Sequence, residues 1–356
     1  MKILISGLCG FVGSSLATYF RQHDPALEVF GFDNFIRSGS ELNRRALQAL
    51  GVKVFHADLR SQSDIDALPA ADWVIDAAAN ASVLAGVDGL TSSRQIIEHN
   101  LLGTVELLEY CKRHHAGFTL LSTSRVYSIP PLASLPMVVK NAAFTLDPHA
   151  SLPPNVSTAG LTEDFSTASP VSLYGTTKLC SEQLALEYGS AFQLPVWINR
   201  CGVLAGPGQF GRADQGIFSF WLNSWLRRRP LKYIGFGGTG HQVRDCLHPH
   251  DLARLLLAQI HDPSRKVHPL QNVSGGTASA ISLAQLSAWS ADRFGFHSVA
   301  AHPGERAFDI PWMVLDSAKA STQWGWQPEI TLPQILEQIA HHAESHPDWL
   351  ELSAGA

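Results

Sequence analysis

Two hydrophobic rhythms alternate along the first two hundred residues. Short apolar runs rich in Val, Ile and Phe, at 2–6, 27–32, 52–56, 73–77, 118–121 and 196–199, have the length and composition of buried strands. Between them, 11–22, 40–50, 91–114 and 171–192 carry apolar residues at the three- and four-residue spacing of a helix with one buried face. Strands apolar on both faces, each followed by a helix, predict an α/β fold: a doubly wound parallel sheet. After residue 200 the pattern coarsens, with helices expected near 215–229, 249–261, 283–293 and 332–342. One stretch, 128–169, has no period. Pro130, Pro131, Pro136, Pro148, Pro153 and Pro154 exclude a long helix there. A loop of this length in a compact domain is usually functional, so it is expected to form a lid or substrate wall; the alternative is an insertion packed on the surface or on a partner subunit.

Composition narrows the classes. Apolar residues make up 45% and charged residues 16%, against roughly 25% charged in an ordinary domain, which fits a compact chain with a large core. A net charge of −5, with basic clusters such as 112–113 and 227–229 that are short, argues against a nucleic-acid partner. Cys9, Cys111, Cys180, Cys201 and Cys246 are scattered without a CxxC pair. No disulfide framework or metal site is therefore expected, and a reducing compartment fits best. The apolar stretch 3–20 is interrupted by glycines and then by Ser14, Ser15 and Thr18, unlike a signal peptide. No run approaches the 18 or so apolar residues of a membrane span, so the expectation is a cytoplasmic protein with no membrane partner.

Gly7, Gly10 and Gly13 lie between the first strand and the first helix, which opens with Phe11 and Val12. Glycines there let the backbone turn and approach a pyrophosphate whose charge faces the helix N-terminus. Asp33 ends the second strand, twenty residues past Gly13. A carboxylate at that place accepts ribose hydroxyls and repels a 2′-phosphate, which favours NAD over NADP. Tyr174 and Lys178 stand four apart on one helix face. A free tyrosine, with pKa about 10, is a poor base near neutrality. A neighbouring ammonium favours its phenolate, which makes the pair a candidate proton acceptor for a secondary alcohol.

The Gly-x-x-Gly-x-x-Gly spacing resembles that of the extended short-chain dehydrogenase/reductases, in their NAD-dependent nucleotide-sugar epimerase/dehydratase branch. The resemblance continues in order along the chain. It implies that Asn34, Asp58, Leu59, Ala77, Ala78, Ala79 and Asn100 join Gly7, Gly10, Phe11, Val12, Gly13, Asp33, Tyr174 and Lys178 in holding the cofactor. It makes Thr123, four residues before Tyr127, the hydroxyl that completes a Thr123, Tyr174, Lys178 set; Ser122 is the competing choice. Tyr127 then either lines the sugar site or sits in the core. Sugar-nucleotide dehydratases of the family carry Asp-Glu directly after the threonine, where this chain has Ser124 and Arg125. Redox without elimination is the implied chemistry.

The same resemblance implies an NAD-binding Rossmann domain over 1–200, and a smaller substrate domain over 201–356 whose segment 240–262 returns to the first. Arg244 and Arg306 are its implied diphosphate ligands, with Ser124 and Gln209 as further substrate contacts. His248 and His250 lack partners at metal-ligand spacing and are read as structural. Within the family, the stretches 208–216 and 240–245 and the long gap between Tyr127 and Tyr174 are most similar to CDP-tyvelose (CDP-paratose) 2-epimerases. Val203, Ala205 and Ser128 depart from the family pattern. The resemblance implies an NAD-dependent epimerase of a nucleoside-diphosphate sugar, homodimeric through helices 91–114 and 171–192. The alternatives are an NDP-sugar 4-epimerase, a net dehydrogenase or reductase, and a non-catalytic sensor.

Overall fold

The computed structural model describes residues 1–87, 89, 92–212 and 215–354. Thr91, Ala213 and Asp214, which fall in segments named above, lie outside the described residues. A seven-stranded parallel sheet forms the centre: β1 (Lys2–Ser6), β2 (Glu28–Asp33), β3 (Lys53–His56), β4 (Trp73–Asp76), β5 (Gly117–Thr123), β6 (Val196–Cys201) and β7 (Leu270–Val273). Their spatial order is β7-β6-β5-β4-β1-β2-β3, so the winding direction reverses between β1 and β4. In open α/β sheets a ligand crevice forms at that reversal, outside the carboxyl ends of the strands.

Strand alternation places side chains on both faces. Ile3 and Ile5 of β1 join one core with Leu16, Ala17 and Phe20 of α1 (Phe11–His23). Leu4 joins the other with Leu107, Leu108 and Tyr110 of α2 (Gly103–His114). The helix α3 (Ser172–Phe192) covers the same side, and α4 (Pro249–His261) packs on α1. Most expected elements occur within a residue or two of their expected ends. The helix expected over 91–114 runs unbroken from Ser93 to His114, as Ser93–Ile97, a π-helical stretch (Glu98–Leu102) and α2. The strand β7 has no hydrophobic signature, because its buried Gln271 and Asn272 are polar. Gln271 Nε2 donates to Asn199 Oδ1 at 2.9 Å on β6, and Tyr127 Oη donates to Asn272 Oδ1 at 2.6 Å.

The proline-rich segment is more regular than its sequence suggests. It holds a short helix (Ile129–Ala133), a hairpin (Met137–Lys140 with Ala143–Leu146) and a smaller one (Val156–Ser157 with Gly160–Leu161). Leu132, Leu135, Val156, Leu161 and Phe165 pack with Val243, Ile310 and residues 312–315 into a core of their own. The segment is thus built into the fold. Beside it, a small sheet centres on Val243–Leu247, which carries Arg244 and pairs with Val203–Leu204, Ala280–Ser282 and Trp312–Met313.

Candidate active site

The turn after β1 is shaped for close approach. Gly7 adopts φ +60°, and a Cβ there would stand 2.9 Å from Ala78 Cα. At Gly13 a Cβ would stand 2.3 Å from Gly7 O, so helix α1 starts against the loop only because that side chain is missing. The first N–H groups of α1, at Phe11, Val12 and Gly13, have no acceptor inside the helix and lie at its positive end. Asp33 ends β2 beside this loop and is buried. Its Oδ2 accepts from Cys9 N at 3.0 Å and its Oδ1 from Phe35 N at 2.8 Å. Burial pushes its carboxyl upward, and backbone N–H groups of Phe35, Cys9 and Gly10 oppose the shift. A carboxylate has about four lone-pair sites, so acceptor capacity remains for a ribose hydroxyl. The tight glycine turn, the unpaired N–H groups at the start of α1 and the carboxylate beside them fit a dinucleotide.

The remaining expected cofactor residues gather around the same crevice. Ala77 N and Ala78 N both donate to Ser6 Oγ at 3.0 Å, and Ser6 Oγ donates to Asp76 Oδ1 at 2.9 Å. Thr104 of α2 donates to the other Asp76 oxygen at 2.8 Å. Asn34 Nδ2 donates to Asp58 Oδ2 at 3.2 Å, and Arg60 hydrogen-bonds the Asp58 carboxyl and holds it well below the usual range. Leu59 packs where a Cβ on Gly103 would collide, 2.6 Å from Leu59 Cγ. Ala79 is exposed, three residues past the end of β4. Asn100 sits in the π-helical stretch, a device often found at functional sites. Its Oδ1 accepts from Asn80 N at 2.8 Å, while Nδ2 donates to Asn80 O at 3.0 Å and to Thr177 Oγ1 at 3.3 Å. Thr177 Oγ1 donates in turn to Tyr174 O at 2.8 Å. Ser6, Asp76, Asn80 and Thr177 escaped sequence reasoning, since nothing distinguishes a polar strand-end residue from a surface one before pairing is known.

Thr123 and Ser122 point to opposite sides of β5. Ser122 Oγ donates to Glu182 Oε1 at 2.5 Å, inside a buried cluster. Thr123 instead acts on the Tyr174 phenol, which separates the two candidates. Burial pushes the phenol up to about 12, while the Thr123 side chain and the positive charge of Arg125 pull it down. Lys178, one turn along α3, is 2% exposed, and its charge reaches the Cys201 thiol at the end of β6. Gly175 is required beside Tyr174: a Cβ there would stand 2.3 Å from Arg125 O. Tyr127 is 1% exposed and bonded to Asn272 and Arg200, a core residue.

Three arginines gather near one carboxylate. Arg244 Nη2 donates to Asp309 Oδ1 at 3.1 Å; Arg125 lies within electrostatic reach of both, and Arg306 of Arg244 and Arg125. Burial and then Arg244 push Arg125 down to about 9. Three guanidiniums beside one bonded carboxylate suit an anionic ligand. Ser124 is buried, and its carbonyl accepts from Tyr127 N at 3.4 Å. Gln209 turns inward, Nε2 donating to Leu204 O at 2.6 Å while its carbonyl accepts from Trp349 Nε1 at 2.8 Å; these contacts fix the loop after residue 204. His248 is buried, accepts from His250 N at 3.1 Å and caps α4.

A sheet that reverses direction beside a glycine cradle and a strand-end carboxylate defines a dinucleotide-binding α/β protein. The chain belongs to the NAD dependent epimerase/dehydratase family, whose pattern matches residues 3–273. It is 26% identical to the CDP-paratose 2-epimerase of Salmonella typhi, over 95% of this chain and 98% of that one. It is 23% identical to the UDP-glucuronate 4-epimerase of Thermodesulfobacterium geofontis, over 96% of each. Among solved structures it superimposes on Pal from Bacillus thuringiensis with a TM-score of 0.78 at 23% identity, covering 97% of this chain and 99% of that one. UDP-glucuronic acid 4-epimerase from Bacillus cereus, in complex with UDP-glucuronic acid and NAD, gives 0.74 at 24% identity, with the same coverage. Among the described residues no helix is long and apolar enough to cross a membrane.

The cradle carries a direct test. A side chain at Gly13 costs about 1–3 kcal/mol through overpacking. Gly13→Ala is therefore expected to weaken NAD binding roughly ten- to hundredfold in a fluorescence titration. Undiminished affinity would show that this loop does not hold the dinucleotide.

Proposed function

We propose that the chain is an NAD-dependent epimerase of a nucleoside-diphosphate sugar, inverting C2 in the manner of a CDP-paratose (CDP-tyvelose) 2-epimerase. The observation that carries this reading is the placing of Thr123, at the carboxyl end of β5, where it favours the charged form of the buried Tyr174 phenol, with Ser124 and Arg125 following where elimination chemistry needs an acid and a base. When bound, NAD supplies the acceptor and donor for the carbon-bound hydrogen. The protein's own work is to hold and move protons. Tyr174 takes the proton of the reacting hydroxyl, Thr123 bridges the phenol and the sugar oxygen, and Lys178 favours the phenolate. The Gly7–Gly13 loop and Asp33 hold the dinucleotide, and Asn34, Asp58, Leu59, Ala77, Ala78, Ala79 and Asn100 line its path. Arg244 and Arg306 take the diphosphate, as guanidinium forks do. The anchored diphosphate lets the planar keto-sugar turn its other face. Ile97, Leu102 and Phe192 are exposed apolar residues on the helices expected to pair, which supports a homodimer through that face.

The sign of the pH response follows from the Tyr174 environment. A hydrogen bond donated to the phenol oxygen stabilises the phenolate, so the rate rises with pH and Thr123 shifts that rise to lower pH. Thr123→Val is expected to move the acidic limb of kcat/KM upward and to lower the rate near neutrality roughly ten- to hundredfold. An unmoved limb would remove Thr123 from the proton path.

A further inference from the structure

Arg125 stands in the same cleft, yet the proton chemistry above uses no cation there. Its backbone is fixed to both elements of the proposed catalytic set. Its N–H donates to Thr123 Oγ1 at 3.2 Å, and its carbonyl presses against α3 at Gly175. The side chain extends toward the 306–309 loop. Among the described residues, Phe308 O is the only acceptor its guanidinium reaches, Nη1 lying 3.4 Å away, and it forms no ion pair. Asp309, whose field it meets, is bonded to Arg244 at 3.1 Å and to Gln242 Nε2 at 3.2 Å. A guanidinium has five N–H donors in a fixed fork. Most of those on Arg125 are therefore left without a protein acceptor among the described residues. Its charge is felt by the Tyr174 phenol at one end and by Arg244 and Arg306 at the other. A sugar carried by a diphosphate on Arg244 and Arg306, with its hydroxyl on Tyr174, would fill that interval.

We infer that Arg125 is a specificity-determining residue that grips the hexose itself, donating its free N–H groups to sugar oxygens between Tyr174 and the Arg244–Arg306 pair. This rests on the proposed reading of the cleft as a nucleoside-diphosphate-sugar site. Its position argues for the sugar over the diphosphate, because it is two residues from Thr123 and packed against the residue after Tyr174. A hydrogen-bonding site of this kind favours hexoses with an oxygen in reach and rejects those without one, since a buried guanidinium left unpaired is costly.

The test is calorimetry on the NAD-loaded protein with CDP, CDP-glucose, UDP and UDP-glucose. In Arg125→Met the affinity for the NDP-glucose of the preferred base is expected to fall about tenfold or more, with the affinity for the matching bare diphosphate moved by less than about twofold. Arg125→Lys should restore part of the loss, and NAD binding should be unchanged. Equal losses for sugar nucleotide and bare diphosphate would make Arg125 a phosphate ligand and overturn the inference. So would unchanged affinity for both. If Arg244→Met weakens the bare diphosphate while Arg125→Met changes nothing, the functional reading stands and only this inference falls. If the unmodified protein binds none of the four, both fall together.

Discussion

Tyr174→Phe is expected to lower turnover by about 10²–10⁴-fold, the usual contribution of a positioned general base, while dinucleotide affinity stays within about twofold. The argument rests on what the hydroxyl touches. The ring is 7% exposed and packs with Ala85 and Ile96, so a phenylalanine fills the same space. The lost atom is the phenol oxygen, whose charged form Thr123 and the Arg125 cation favour. The hydrogen-bond network of Asn100, Asn80 and Thr177 reaches Tyr174 through its backbone carbonyl, which the substitution keeps. Steady-state kinetics on the substrate, paired with an NAD titration, separates the two effects. A fully active Phe variant would remove the tyrosine from the chemistry.

The largest expected stability effect lies behind the strand that carries Thr123. Arg200 and Glu182 form a bidentate pair, with Nη2–Oε2 at 2.7 Å and Nε–Oε1 at 3.0 Å, and their side chains are 6% and 0% exposed. Ser122 donates to the same carboxylate, and Arg200 also reaches Tyr127 and the Glu163 carbonyl of the proline-rich segment. Removing one member leaves a buried charge with no counter-charge, a loss of about 3–5 kcal/mol. Arg200→Met alone is thus expected to lower the unfolding midpoint strongly. Arg200→Met with Glu182→Leu should recover much of it, because two apolar groups of similar volume replace the pair. Equal instability of single and double variants would mean that packing, and not charge, dominates there.

The sheet was legible because its strands are apolar on both faces, and α1, α3 and α4 because their apolar spacing is helical. The strand β7 was not, since Gln271 and Asn272 reach their partners on β6 and on Tyr127 only after the sheet has formed. The 128–169 segment defeated periodicity for a related reason: each piece is too short to show a period, and its apolar residues answer to Val243 and residues 310–315, far away in sequence. The glycine loop, Asp33, Tyr174 and Lys178 stood out as candidates because local spacing alone sets them apart. Asp309 gave no signal. It lies in an irregular stretch, and its importance comes from Arg244 and Arg125 arriving from two other parts of the chain. Gln209 shows the converse, a motif residue whose amide is taken up by Leu204 O.

The most direct measurement is mass spectrometry and NMR of the product formed from CDP-paratose in deuterium oxide, with no dinucleotide added beyond that carried by the protein. The account predicts inversion at C2 with the original carbon-bound hydrogen retained, no solvent deuterium on any ring carbon, and no net change in NAD. Deuterium at the inverted carbon, or a product lighter by one water, would contradict it.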